Sequence, residues 1–310
     1  MDYEELLMIK TAWYYYLENM TQQNISELLG ITRVRVIKLL EKARQSGIIQ
    51  FRIREESADR MQIEQSIAKD YGLKDVFVVP AIPGADVEET NETIAKAAAM
   101  YISGRLGEDG LINIGYGDTQ SRILNNLATM RERPISFVSL TGGVNNYLPN
   151  ARSNIFNAKL YLIPTPLLAS SKEMGAAMRQ EDSVKEISRM VQLASFTVVG
   201  IGGMSDTSTI VKSGILNAND MLYLKMQGAV GDVLSHFIDK DGNLVPTGIE
   251  DRLISTPLET IKELKNVIGV AAGIKKVEAI RAALRGNYLD VLITDESTAL
   301  GLIGEEDVAE

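Results

Sequence analysis

Apolar positions in the first sixty residues fall at helical spacing; from residue 75 onward they gather into short runs separated by helical segments. Leu6, Ile9, Trp13 and Tyr16 predict a first helix over residues 3–18. Thr21 stands where an N-cap belongs, ahead of "QQNISELLG" with Ile25, Leu28 and Leu29 on one face. Gly30 ends that helix, because glycine readily takes the left-handed conformation of a tight turn. Thr32 caps the next helix, whose apolar side is Val36, Leu39, Leu40 and Ala43. Gly47 stops it, and "IIQFRIR" (48–54) alternates like a strand. Two short helices across a glycine turn, followed by a strand, predict a winged helix-turn-helix over residues 1–55.

"ESADRMQIEQSIAKDYGL" (56–73) reads as a helical linker. Beyond it, in residues 74–310, the predicted strands are "DVFVV", "LINIGY", "ISFVSL", "KLYLI", "FTVVGIG", "NVIGVAA" and "LDVLIT". Helical patterns between them include "ETNETIAKAAAMYISGRL", "TQSRILNNLATM", "SVKEISRMVQLA" and "KKVEAIRAALRG". This alternation predicts an α/β domain with a largely parallel sheet covered by helices on both faces. "DKDGNL" (239–244) reads as a turn or small hairpin.

Charge divides the chain differently. The net charge is -9, yet residues 1–60 hold nine bases and nine acids and so are neutral. Residues 31–54 carry seven bases (Arg33, Arg35, Lys38, Lys42, Arg44, Arg52, Arg54) against Glu41 alone. A basic segment on an acidic body fits a polyanion partner for that part only. Arg35, Lys38 and Lys42 lie three and four residues apart, opposite the apolar side of their helix. Arg33 sits at its start, where recognition helices meet base edges. The candidate contacts to operator DNA are Gln22, Thr32, Arg33, Arg35, Lys38 and Lys42.

Composition narrows the chemistry. The chain has no cysteine and one histidine, His236, so disulfides, thiolate metal sites and a cysteine nucleophile are excluded and no metal or cofactor is expected. Hydrophobic residues make up 45%, without an apolar run long enough to span a membrane, and the acidic N-terminus is no export signal. The chain is expected in the cytoplasm. His236 reads as a structural side chain, and Met174, Met178 and Met190 as packing. The aromatic residues 13–16 read as core and subunit contact, and "EEDVAE" as a solvated tail.

Open parallel sheets bind ligands at the carboxyl ends of their strands. There "INIGYGDTQSRIL" places Gly117, Asp118, Thr119 and Gln120 between a strand and a helix, whose first N–H groups can hold a phosphate. It lacks the third glycine of a dinucleotide fingerprint.

The stretch "AWYYYLENMTQQNISELLGITRVRVIKLLEKARQSGII" resembles the DNA-binding region of SorC-type bacterial transcriptional regulators. "SLTGG", "LIPTPL", "VGIGG", "GAVGDVL", "GVAAGIKKVEAIRAALRGNY" and "VLITDESTAL" resemble the effector domain of the same family. That domain is similar to sugar-phosphate isomerases and glucosamine-phosphate deaminases and typically binds a phosphorylated sugar. The resemblance implies that Gly117, Asp118, Thr119 and Gln120 hold the phosphate and that Lys276 opposes it. It implies that Asp232 holds sugar hydroxyls and that Thr141, Gly142 and Gly143 line the crevice. It also implies a homo-oligomer, a dimer or commonly a tetramer.

Two points stay open. Lys275 stands beside Lys276, and Asp118 puts a negative charge in the phosphate loop, which leaves room for an unphosphorylated sugar or polyol. The expectation is a DNA-binding regulator, a repressor of a carbohydrate operon released by a sugar phosphate, and not an enzyme. The alternative is a sugar-phosphate isomerase or deaminase, for which Asp118 and Asp232 are the obvious carboxylates.

Overall fold

A computed structural model of the chain describes residues 3–49, 55–82, 84–108, 110–131, 133–143, 158–205 and 208–304. Two compact units divide between residues 58 and 59.

The first unit contains α1 (Tyr3–Tyr16), α2 (Gln22–Leu29) and α3 (Arg33–Gln45). Its caps follow the residue types. Thr21 accepts the N–H of Asn24 at 3.2 Å and Thr32 that of Arg35 at 3.2 Å. Gly30 takes φ 62°, the left-handed turn between α2 and α3. Ile25, Val36, Leu39, Leu40 and Ala43 are buried together with Leu7, Met8 and Ala12 of α1. The expected face of α1 was therefore misplaced. Leu7, Met8, Thr11 and Ala12 are inside, while Leu6 and Trp13 are exposed. Thr11 can sit in the core because its hydroxyl donates to Leu7 O at 2.7 Å, and the Trp13 indole instead reaches out to Glu18 at 3.2 Å. Leu28 is likewise exposed, since α2 buries Ile25 and Ser26. Ile48 and Ile49 form bends and residues 50–54 lie outside the described residues, so the proposed wing strand is mostly not among them.

In chain order the remaining helices are α4 (Glu55–Tyr71), α5 (Val87–Ser103), α6 (Asp118–Met130), α7 (Lys172–Gln180), α8 (Asp182–Val191), α9 (Thr209–Lys212), α10 (Ala218–Met226), α11 (Leu258–Glu263), α12 (Val277–Arg285) and α13 (Glu296–Ile303). The strands are β1 (Asp75–Val79), β2 (Leu111–Ile114), β3 (Ile135–Gly143), β4 (Ala158–Pro166), β5 (Phe196–Val199), β6 (Ile201–Gly203), β7 (Gly231–Val233), β8 (His236–Ile238), β9 (Val267–Val270) and β10 (Val291–Asp295).

Seven of these strands form one parallel sheet in the order β1-β10-β9-β5-β2-β3-β4. Successive residues of a strand face opposite sides, so its apolar runs feed two cores. Phe137, Val198 and Ile293 pack with α5 and α6, while their neighbours Val138, Val199 and Leu292 pack with α8 and α12. Ile67 of α4 belongs to that second core, so the segment read as a linker contributes to the domain it leads into.

The run "FTVVGIG" proves to be two strands. It breaks at Gly200 into β5 of the large sheet and β6 of a small antiparallel sheet, β6-β7-β8. Of the three methionines read as packing, Met178 and Met190 are partly buried against apolar clusters, whereas Met174 is 46% exposed. "DKDGNL" forms a turn in which Asp239 N–H donates to Asn243 O at 2.9 Å.

Candidate functional site

From β2 the chain runs outward through β3 to β4, and from β5 it runs the opposite way through β9 to β10. The boundary between β2 and β5 is a topological switch point, where the segments leaving the two strands diverge and open a crevice. Gly115, Tyr116 and Gly117 leave β2 there, Gly200 leaves β5, and residues 271–276 leave β9.

Gly117 takes φ 135° and stands at the N-cap of α6 with no side chain capping the helix. The first N–H groups of α6 thus have no side-chain cap at an end where the helix dipole favours an anion. Thr119 and Gln120 are buried. With its amide oriented to suit both neighbours, Gln120 donates to Tyr116 O at 3.3 Å and accepts the N–H of Gly200 at 2.9 Å, which ties the two diverging loops together. Only glycine fits at 200, because an added Cβ would lie 2.5 Å from the Gln120 amide.

Asp118 does not face an incoming anion unaccompanied. Its Oδ2 accepts from Arg122 Nε at 3.0 Å and from Asn91 at 3.2 Å. Arg122, whose side chain is 11% exposed, also pairs with Glu92 at 2.8 Å and Glu88 at 3.1 Å. Burial opposes the guanidinium's charge, but the hydrogen bonds it donates to the three carboxylates outweigh it and raise the pKa. Arg122 thus offsets part of the negative charge that left the loop's ligand open in the sequence, but it shares its single charge with Glu88 and Glu92, and Lys276 still feels Asp118.

Asp232 arrives on β7, opposite Gly202 of β6. A Cβ at Gly202 would overlap the Asp232 carboxylate, so glycine there is a condition for the carboxylate's position. Asp232 Oδ2 accepts the N–H of Ser235 at 2.9 Å. Burial lifts its pKa from 3.8 to about 6, against the opposing effects of that hydrogen bond and of the Lys276 charge. Lys276, half-buried at the end of a 3-10 turn (Ile274–Lys276), is depressed by burial and supported by Asp232 and, further off, Asp118. Neither Asp232 nor Lys276 has an ion-pair partner within 4.0 Å among the described residues, so both charges remain available. Lys275 is exposed, which separates the two adjacent lysines.

Other residues of the crevice had no signal in the sequence. The β7–β8 turn is made by Leu234 and Ser235 at φ 54° and 67°, a conformation that such turns usually give to Asn-Gly. Backbone strain of this kind is kept where surrounding structure overdetermines it. Here Ser235 is held by Asp232 and by Tyr116, hydroxyl to hydroxyl at 2.8 Å, and Leu234 O accepts from Ser255 at 2.9 Å. Burial, and next the Asp232 charge, raise the Tyr116 phenol. Without glycine or asparagine at the two turn positions, "GDVLSHF" does not read as a hairpin.

Thr141 and Gly142 lie one strand further out. Thr141 bridges to Ser255, and Gly142 N–H donates to Ile254 O at 2.8 Å. They approach the hairpin through Ser255 rather than touching Asp232, and Gly143 is exposed. The Thr141 hydroxyl is buried without a hydrogen-bond partner among the described residues. His236 is structural: its Nε2 lies 3.0 Å from Thr256 O, and burial lowers its pKa to about 4, leaving the ring neutral near pH 7.

In the first unit Arg33, Arg35, Lys38 and Lys42 are exposed on α3, Thr32 is exposed at its cap, and Gln22 is half-buried at the start of α2. Lys42 Nζ lies 3.4 Å from Glu4, both side chains about half exposed.

Residues 55–304 match the family described as "Putative sugar-binding domain". The chain is 33% identical over 304 residues to transcriptional regulator LsrR of Klebsiella pneumoniae, covering 97% of this chain and 93% of that protein. It is 34% identical to LsrR of Escherichia coli K12 over 304 residues, 97% and 95% of the two. Among solved structures, the full-length sorbitol operon regulator SorC of Klebsiella pneumoniae superposes with TM-score 0.69 at 26% identity, covering 97% of this chain and 99% of that one.

Proposed function

The chain belongs to the family of transcriptional regulators that carry this sugar-binding domain, and from that premise we propose a repressor that α3 fixes on operator DNA and a sugar phosphate releases. The observation that carries the effector assignment is that Lys276 and Asp232, each feeling the other's charge without forming an ion pair, face a crevice that also holds the uncapped start of α6. A lysine and a row of N–H groups suit a phosphate, and a carboxylate accepting two hydrogen bonds suits adjacent sugar hydroxyls. Thr141, Gly142 and Gly143 would border the sugar. On DNA, Arg33, Arg35 and Lys38 meet the bases, while Thr32, Gln22 and Lys42 serve the phosphates.

The named relatives are regulators, not enzymes. Of the carboxylates that an isomerase or deaminase would need, Asp118 is held by Arg122, and the chain's one histidine, His236, has its Nε2 on Thr256 O rather than on Asp232. No described helix is long and apolar enough to cross a membrane, and we place the protein with its DNA in the cytoplasm. One helix-turn-helix covers a half-site, so specific binding calls for at least a dimer, and we expect a tetramer.

The test is a gel-shift titration on a duplex that the protein itself selects from a random pool, repeated with a panel of sugar phosphates and their parent sugars. A phosphate ester should weaken DNA binding at concentrations where its parent sugar does not. Lys276→Ala should bind the duplex normally and ignore the ester. Normal DNA affinity in an Arg33→Ala, Arg35→Ala, Lys38→Ala triple variant would sink the role of α3, and a monomeric mass by light scattering would sink the assembly.

A further inference from the structure

Two aliphatic side chains on α3 face away from the core of their own unit. Val34 is 62% exposed and Ile37 43%, while Val36, Leu39, Leu40 and Ala43 on the other side are at most 3% exposed. A solvent-facing valine in the first turn gains nothing from burial and is a poorer helix former than alanine. At roughly 100° per residue, Val34, Ile37, Lys38 and Glu41 share one ridge, the aliphatic pair toward its N-terminal end and Glu41 a turn further on, with Arg33 and Arg44 flanking it on one side and Arg35 and Lys42 on the other. An apolar patch in the first turns, bordered by cations on both flanks, matches the DNA major groove. The groove's walls are phosphates, and its floor presents a methyl group at every thymine. Val34 is also the second residue of α3, within the part of a recognition helix that reaches base edges.

We propose that Val34, with Ile37 beside it, reads thymine C5-methyl groups in the operator. This rests on α3 being the recognition helix and adds the chemistry of the base that is read. Lys42 and Arg44 hold the helix against the phosphates, Arg33 and Arg35 reach neighbouring base edges, and the aliphatic pair rejects positions where the methyl is missing. A protein partner, such as a second copy of the chain, would find the same ridge surrounded by desolvated cations, which disfavours it.

The full-length protein is used to select a duplex from a random pool, and each thymine is then replaced singly by deoxyuridine, which lacks only the methyl. Wild type should lose affinity about fourfold at one or two thymines per half-site, the worth of one buried carbon. Val34→Ala should weaken the thymine duplex by a similar factor and become indifferent at those same positions, because the two deletions remove one shared contact. Arg35→Ala should weaken thymine and deoxyuridine duplexes alike. Val34 is exposed and alanine favours helix, so the variant folds. Wild type binding every deoxyuridine duplex as tightly as the parent, or full discrimination surviving in Val34→Ala, overturns the methyl contact while leaving α3 as the recognition helix. If no sequence is enriched from the pool, the helix-turn-helix assignment fails and this proposal with it.

Discussion

Asp232 and His236 stand on adjacent strands of one hairpin, and burial moves their proton affinities in opposite directions. Asp232 rises from 3.8 to about 6 on folding. Between those values the folded state holds a proton that the unfolded chain has lost, so stability falls as pH rises. His236 drops from 6.5 to about 4, so in nearly the same window the unfolded chain holds the extra proton and stability rises with pH. Each slope is about 1.4 kcal/mol per pH unit, and over some two units each group contributes about 3 kcal/mol. In the wild type the two effects nearly cancel.

Asp232→Asn keeps an oxygen to accept the Ser235 N–H and removes one of the opposing contributions. Near pH 7 the variant should be more stable than wild type by about 1–3 kcal/mol, the lower part of that range allowing for Lys276 losing its counter-charge. The advantage should shrink as pH falls from about 6 and vanish by about pH 3, where the wild-type carboxyl is protonated in both states. Urea unfolding of both proteins across that range reads the difference directly, since every other titrating group contributes equally. In a thermal scan the shift is about 2–4 °C per kcal/mol for a domain of this size. A difference that does not vary with pH would refute the reasoning. So would a variant clearly less stable than wild type near neutrality, because the ionised carboxylate would then be a net stabiliser.

Gly202→Ala should displace the Asp232 carboxylate and abolish the response to the sugar phosphate in gel shifts, leaving operator affinity unchanged. Gly142→Ala would push a methyl into the Pro166–Leu167 backbone, with Leu167 N at 2.9 Å. Overpacking against main chain should cost about 1–3 kcal/mol in urea unfolding, and because Gly142 borders the sugar, calorimetry should show weaker effector binding as well. Arg122→Ala leaves Asp118, Glu88 and Glu92 facing one another. It should destabilise by about 1–3 kcal/mol, solvent around the glutamates softening the loss. Calorimetry should also show weaker phosphate-ester binding, through repulsion from the uncompensated Asp118.

Much of the fold was legible because its signals are local. Apart from the edge strand β4, which buries only Ile163, the sheet strands are short, largely apolar runs of the kind a buried parallel strand needs, and Thr21, Gly30 and Thr32 cap and turn by their own backbone chemistry. What escaped depends on partners distant in sequence. The buried face of α1 is chosen by α3, so its large aromatic residue, Trp13, could lie outside while Ala12 lies inside. The break at Gly200 depends on Gln120, eighty positions earlier. The Leu234–Ser235 turn violates local preference and is held by Tyr116, Asp232 and Ser255. At the site, the sequence could name Asp118 and two adjacent lysines. It could not show that Arg122 answers Asp118, or that Lys276 is half-buried toward Asp232 while Lys275 faces solvent.

The most direct measurement is calorimetric titration of a sugar phosphate and its parent sugar into the protein, alone and saturated with operator duplex. The phosphate ester should bind more tightly than the sugar. Operator should weaken ester binding by the same factor that the ester weakens operator binding, because the coupling is reciprocal. In Lys276→Ala the preference for the ester should disappear. Equal affinity of the wild type for ester and sugar, or ester binding indifferent to operator, would contradict a phosphate-gated repressor.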